Sequence, residues 1–214
     1  MRLALWLLLA FLAPGLARAA DLVVTVRTAQ GRPVQDAVVM IAARPTGPIR
    51  FAWPYRMAQH NMQFDPFVLV VPVGAEVAFP NLDNVRHHVY SFSPAKRFEL
   101  PLYAGVPSQP VMFDRPGIVV LGCNIHDWMV GYVYVSDSPY FAKTGKDGKA
   151  LLTDLPPRAY VVRVWHPQLE GSEDATKKNV DASRSRSVEV SWTVKLKPEA
   201  RIRRAPVADR SGRY

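Results

Sequence analysis

The chain has one cysteine, Cys123, in 214 residues, which excludes an internal disulfide. Exported proteins usually carry cysteines in pairs, and a lone thiol in an oxidising compartment is a liability unless it is buried or bound. Glycine is scarce beside proline, twelve against nineteen, which argues for strands and turns over long helices. No stretch shows the apolar period of a long amphipathic helix, and low-complexity repeats are absent. Charged residues make up 21% of the chain and hydrophobic residues 49%. That balance excludes intrinsic disorder and allows one large domain or two small ones.

The longest apolar run lies at the start. Arg2 precedes the continuous stretch Leu3 to Leu12, Pro14 and Gly15 break it, and Ala17-Arg18-Ala19 places small residues where a signal peptidase reads. The run is too short for a stable membrane anchor, and no cysteine follows for lipid attachment. Residues 1–19 are therefore expected to be a cleaved secretory signal, leaving a periplasmic protein with no integral membrane segment. Cleavage removes Arg2 and Arg18 and lowers the net charge from +9 to +7. Much of the remaining excess sits at Arg201, Arg203, Arg204, Arg210 and Arg213, a basic tail over 199–214 that reads as solvated chain rather than a nucleic-acid site.

Between these ends the pattern is that of an all-β protein. Strands are expected over 21–26, 37–41, 67–71, 76–79, 85–92, 111–113, 118–121 and 130–135, separated by Pro- and Gly-bearing turns. Residues 49–63 show no clear period, and 93–110 read as a loop. A second unit begins near Pro139, with a hairpin-type turn at Thr144–Lys149 and strands over 150–153, 160–164 and 187–196. Short strands at this spacing indicate a β-sandwich or barrel.

The chemistry gathers in Gly122-Cys123-Asn124-Ile125-His126-Asp127-Trp128-Met129, which puts a thiolate, an imidazole and a thioether within seven residues. Two imidazoles and a thiolate in a trigonal plane, with a weak axial Met, form the ligand set of blue-copper sites. The second imidazole is available at His87-His88. Strand side chains alternate, so only one of the two points inward. Val85 and Val89 share a face with His87, and Tyr90 and Phe92 share the other with His88, so periodicity does not choose. A site mixing sulfur and nitrogen donors suits both Cu(I) and Cu(II), and ligation would occupy the free thiol. The plainer readings are a buried apolar cysteine and a zinc site completed by Asp127 or His88, which would leave the Met without a role. His60 and His166 read as structural.

These residues resemble the cupredoxins. Val77-Ala78-Phe79-Pro80-Asn81-Leu82-Asp83 followed by His87-His88-Val89 is similar to the segment bearing the first ligand histidine, with His88 where that family often has Asn. The spacing Cys, two residues, His, two residues, Met is similar to the short loop of amicyanin. Asp114-Arg115-Pro116-Gly117 and Gly131 also fit, and the likeness spans about residues 57–136. It implies a cupredoxin Greek-key sandwich with one copper ion held by His87, Cys123, His126 and Met129.

The segment Val24 to Ile41 resembles the first half of a carboxypeptidase-regulatory-like β-sandwich, and Thr144 to His166 resembles its second half. The domains expected are N-terminal strands of the small sandwich over 20–48, the cupredoxin domain over 49–136, and the rest of the small sandwich over 137–198, with the copper domain inserted in it or joined to it. Along its length the chain is also similar to bacterial proteins labelled methylamine-utilisation proteins, which implies a link to amine oxidation. The expected function is one-electron transfer with a periplasmic redox partner, a cytochrome or a dehydrogenase. The alternatives are a carrier that delivers copper and an envelope interaction module with a vestigial site. Enzymatic activity is not expected, because the ligand set leaves no open position and no general base is evident.

Overall fold

The computed structural model describes residues 19–43, 47–107 and 109–198. The signal assigned to 1–19 (Ala19 apart) and the basic tail assigned to 199–214 lie outside the described residues. In chain order the strands are β1 (Ala20–Thr28), β2 (Val38–Ile41), β3 (Ala58–His60), β4 (Gln63–Asp65), β5 (Val68–Pro72), β6 (Ala75–Val77), β7 (His87–Ser93) and β8 (Lys96–Tyr103). They continue as β9 (Val111–Phe113), β10 (Gly117–Cys123), β11 (Val130–Ser136), β12 (Phe141–Lys143), β13 (Lys149–Leu155), β14 (Ala159–Trp165), β15 (Lys178–Asp181) and β16 (Ser187–Val194). One 3-10 turn, Glu173–Thr176, interrupts them, capped by Ser172, whose hydroxyl accepts the Ala175 N–H. Among the described residues the fold is all-β, as the pattern of short strands and turns predicts.

Alternation along the strands sorts the side chains into packed layers. On β1, Ala20, Leu22, Val24 and Val26 are buried, while Asp21, Val23 and Thr25 are half-buried. This strand lies between β13, antiparallel, and β16, parallel. Facing it is the sheet β12-β2-β14-β15. The core between them is built from Leu22, Val24, Val39, Ile41, Leu152, Val162, Val164 and Trp192. The third sheet runs β5-β11-β10-β7-β8 and covers a second core with Met57, Leu69, Val71, Val77, Phe79, Val89, Phe113, Leu121 and Val133. Each fully buried side chain of this kind contributes about 1.5–3 kcal/mol.

Strands β2 and β5 are buried along their whole length because each has a core on both faces. Val39 and Ile41 point into the first core, while Val38 and Met40 point away from it and meet Val68, Val70 and Tyr134 of the five-stranded sheet. A sheet covered on both sides reads as a continuous apolar run rather than an alternating one. The outer edge of β5 is closed by side chains. Trp53 Nε1 donates to the Val70 carbonyl at 3.0 Å, and Lys143 Nζ donates to that of Val68, also at 3.0 Å. Occupied edge carbonyls remove a template for pairing with another chain.

Three expectations are corrected. Within the stretch read as a loop, 93–110, Lys96–Tyr103 forms β8. It is an edge strand paired only with β7, so it carries Lys96, Arg97 and Glu99 and tolerates Pro101, which has no N–H to offer a ladder. The Thr144–Lys149 turn is not the tip of a hairpin. It leads from β12, paired with β2, to β13, paired with β1, and so passes the chain between facing sheets. Residues 49–63, read as aperiodic, contain β3, which is only three residues long and carries no pattern of its own.

Candidate metal centre

Pairing of β7 with β10 builds the site. Cys123, the last residue of β10, stands opposite Val89, and His87 lies two residues further along β7 on the same face. Residues in this diagonal relation on adjacent strands are within side-chain reach. The loop then turns back on itself, the Asn124 N–H reaching the His88 carbonyl at 3.3 Å and the Met129 N–H reaching that of His126 at 3.0 Å. That reversal returns His126 to the cysteine. Cys123 Sγ lies 3.7 Å from His87 Nδ1 and 3.6 Å from His126 Nδ1, and the three atoms fall within 4.8 Å of one another.

Pairing with β10 selects the histidine: His87 shares the face of Val89, which stands opposite Cys123. His87 pairs with Tyr103 and Val89 with Leu100, so β8 carries one extra residue at Pro101-Leu102. The extra residue is on β8, and along β7 the alternation is unbroken, with His87, Val89 and Ser91 all buried. His87 is 0% exposed, in contact with the thiol. His88 points to the other face, its Nε2 2.9 Å from Glu99 Oε1. Of the four residues singled out from the sequence, His87, Cys123 and His126 come together, and Met129 is buried in the same core as Cys123. Asp127 and His88 are not part of the cluster, and His60 and His166 lie elsewhere, His166 Nδ1 accepting the Gln168 N–H.

The surroundings polarise these groups. Burial works against a charged His87, but contact with Cys123 and Asp83 outweighs it and raises the imidazole above its ordinary 6.5. Burial likewise opposes ionisation of Cys123, yet His87 and the backbone N–H groups around it hold the thiol below its ordinary value. His126 is lowered by burial and by the positive charge of His87. The shifts at Cys123 and His87 draw the first toward the thiolate and the second toward the imidazolium.

Two residues of the segment that leads to His87, not singled out as site residues from the sequence, take part. Asp83 Oδ2 accepts from His87 Nε2 at 2.8 Å. Asn81 shapes the approach: its Oδ1 accepts the Asp83 N–H at 2.9 Å, and its Nδ2 donates to the carbonyls of Val85 and Tyr103 at 2.7 and 3.1 Å. An acidic residue four positions before a candidate ligand was the available signal. Behind His87, the Tyr103 hydroxyl donates to Gln59 Oε1 and to the Phe79 carbonyl, and burial pushes this phenol well above its usual range.

The donor set fits a transition-metal ion. With donors about 2.0–2.3 Å from the ion and about 110–120° apart, sulfur and nitrogen must be about 3.6–3.8 Å from each other; the two observed separations are 3.7 and 3.6 Å. Both imidazoles present the same nitrogen, Nδ1, to the sulfur. A thiolate with two imidazoles is the combination copper takes in electron-transfer sites.

No protein-family model and no curated protein matches the chain. Among solved structures it is similar to a purple cupredoxin from Nitrosopumilus maritimus, 27% identical over 38% of this chain and 98% of that one, with a TM-score of 0.34. It is also similar to a copper-containing nitrite reductase from Thermus scotoductus SA-01, 24% identical over 53% of this chain but 28% of that one, at 0.37. A mutant amicyanin in its Cu(I) form is 19% identical over 46% of this chain and 98% of that one, at 0.35.

Proposed function

We propose that the chain is a periplasmic electron-transfer protein in which His87, Cys123 and His126 would hold one copper ion, with Met129 as a weaker fourth donor. The observation that carries this reading is the convergence of one sulfur and two Nδ1 atoms at 3.6–3.7 Å on a single sheet face. When bound, copper supplies a one-electron couple between Cu(I) and Cu(II).

The protein's own residues do the rest. Cys123 is anchored at the end of β10, whose neighbours on both sides are paired strands, so the sulfur moves little as charge changes. A donor set held rigidly between the preferences of the two oxidation states limits rearrangement on electron transfer. His87 is sealed in the interior and His126 is only partly covered, which makes His126 the side from which electrons enter or leave. Ile125, 51% exposed, and Trp128, 38% exposed, flank it in the loop and form the contact surface for a redox partner, a cytochrome or a dehydrogenase. The likeness to methylamine-utilisation proteins makes amine oxidation the candidate pathway. The chain acts as a carrier of electrons rather than as an enzyme, since four donors leave no place for a substrate. Residues 1–19 direct export and are removed by cleavage after Ala19, and the copper-binding unit over 49–136 is inserted in the small sandwich formed by 20–48 and 137–198.

The test is to load the purified protein with Cu(II) and record its visible spectrum. An intense thiolate-to-copper band that disappears in Cys123→Ser is expected, with the ion retained through repeated reduction and oxidation. A colourless complex, or a band unchanged in Cys123→Ser, overturns the reading. Loss of copper to an acceptor on reduction turns it toward copper delivery.

A further inference from the structure

We propose that Asp83 is the positioning residue of this centre: its carboxylate, seated on the turn between β3 and β4, holds the His87 ring with Nδ1 toward Cys123 and strengthens it as a donor. The proposal rests on the metal-site reading above and assigns a role outside the four donors.

Three hydrogen bonds converge on this carboxylate. Oδ1 accepts the Asn61 N–H at 2.6 Å, and Oδ2 accepts the Met62 N–H at 2.9 Å and His87 Nε2 at 2.8 Å. Asn61 and Met62 are both left-handed, with φ of 54° and 52°, the conformation a two-residue hairpin turn demands. Left-handed backbone is unfavourable for a residue such as Met. In return, two successive N–H groups point the same way and make a concave seat for an anion. Asp83 fills that seat with its side chain 11% exposed, and its own N–H is tied to Asn81. The carboxylate is thus fixed from two sides before it meets the histidine.

The consequence for His87 is geometric and electronic. A ring whose Nε2–H is donated to a carboxylate has its Nδ1 lone pair free, and Nδ1 is the atom that faces the sulfur. A carboxylate behind an imidazole fixes its tautomer and orientation and raises its basicity toward a metal. His126 differs: among the described residues no carboxylate bonds its ring, which instead packs against His87 and Trp128 at centroid distances of 4.9 and 5.2 Å. One imidazole is clamped by a carboxylate on the side away from the sulfur, and the other is packed against aromatic rings. A more basic donor favours Cu(II) over Cu(I), so Asp83 lowers the reduction potential.

The full chain is compared with Asp83→Asn, which keeps an acceptor but removes the charge, and with Asp83→Ala, which removes both. Asp83→Asn is expected to keep the thiolate-to-copper band, bind Cu(II) about 10–100-fold more weakly, and show a more positive potential. Asp83→Ala is expected to lose affinity further and to broaden the band. Should the variants not fold, the wild-type protein loaded with Zn(II) decides by NMR: the His87 Hε2 proton should be downfield and slow to exchange, and that of His126 should not. Unchanged affinity and potential in Asp83→Asn, or a fast-exchanging His87 Hε2 in the zinc protein, overturns the proposal while leaving the metal site standing. Failure of the wild type to bind either ion removes the site itself, and the proposal with it.

Discussion

His87 and His88 are neighbours in the chain with opposite surroundings: His87 is buried with Nδ1 3.7 Å from Cys123 Sγ, whereas His88 lies on the other face of β7 with Nε2 2.9 Å from Glu99. Replacing each by alanine separates them. His87→Ala is expected to abolish the copper spectrum. His88→Ala should keep it, because that ring lies on the face of β7 away from the sulfur. Copper titration followed by absorbance checks both arms, and equal loss of colour in the two variants contradicts the assignment.

Gly122 precedes the cysteine and stands opposite Tyr90, and a Cβ on it would fall 2.7 Å from the tyrosine ring. Gly122→Ala must therefore push the ring or the strand aside, at about 1–3 kcal/mol. Since Tyr90 causes the clash, the same substitution in a Tyr90→Ala background should cost less than half as much. A double-mutant cycle from denaturant midpoints measures that coupling, and strict additivity contradicts the packing argument.

Tyr134 on β11 crosses the seam between the two sandwiches, its hydroxyl donating to Glu173 at 2.9 and 3.1 Å, while Arg163 Nε lies 2.7 Å from the same carboxylate. Tyr134→Phe removes one partner of a largely covered charge and should cost about 1–3 kcal/mol. Thermal denaturation checks the loss. The copper spectrum should not change, since these residues pack on the sheet face away from the cysteine.

Glu173 also gives the protein a pH dependence of definite sign. Burial raises its carboxyl above the ordinary 4.5, opposed by Arg163 and by the Tyr134 hydrogen bond. The folded state therefore holds the proton more tightly than the unfolded chain. Its contribution to stability is full below about 4.5 and is lost as pH rises through the folded-state value. Glu173→Gln should remove that decline. Denaturation midpoints from pH 4 to 8 for the two proteins give the difference, and parallel curves would show that the carboxyl is not strained by its site.

Strands β1 and β16 of the first core were legible because each has one covered face. Leu22, Val24 and Val26 alternate with half-buried partners, and Val188, Val190, Trp192 and Val194 share a face of β16. β8 was not legible, since an edge strand with Arg97, Glu99 and Pro101 has little apolar face to show. β2 and β5 were visible as apolar runs, but nothing in a run of four or five buried residues says that it separates two cores.

The donor types were legible in the sequence: Cys123, His126 and Met129 stand at three-residue steps in an all-β chain. Position was not. Period two treats His87 and His88 as equals, and only the pairing of β7 with β10 brings one of them to the sulfur. Asp83 and the Asn61–Met62 turn are about twenty residues apart in the chain and meet through backbone N–H groups, which carry no side-chain signature. Side-chain chemistry is written residue by residue, whereas hydrogen bonds to the backbone exist only once distant strands have been brought into register.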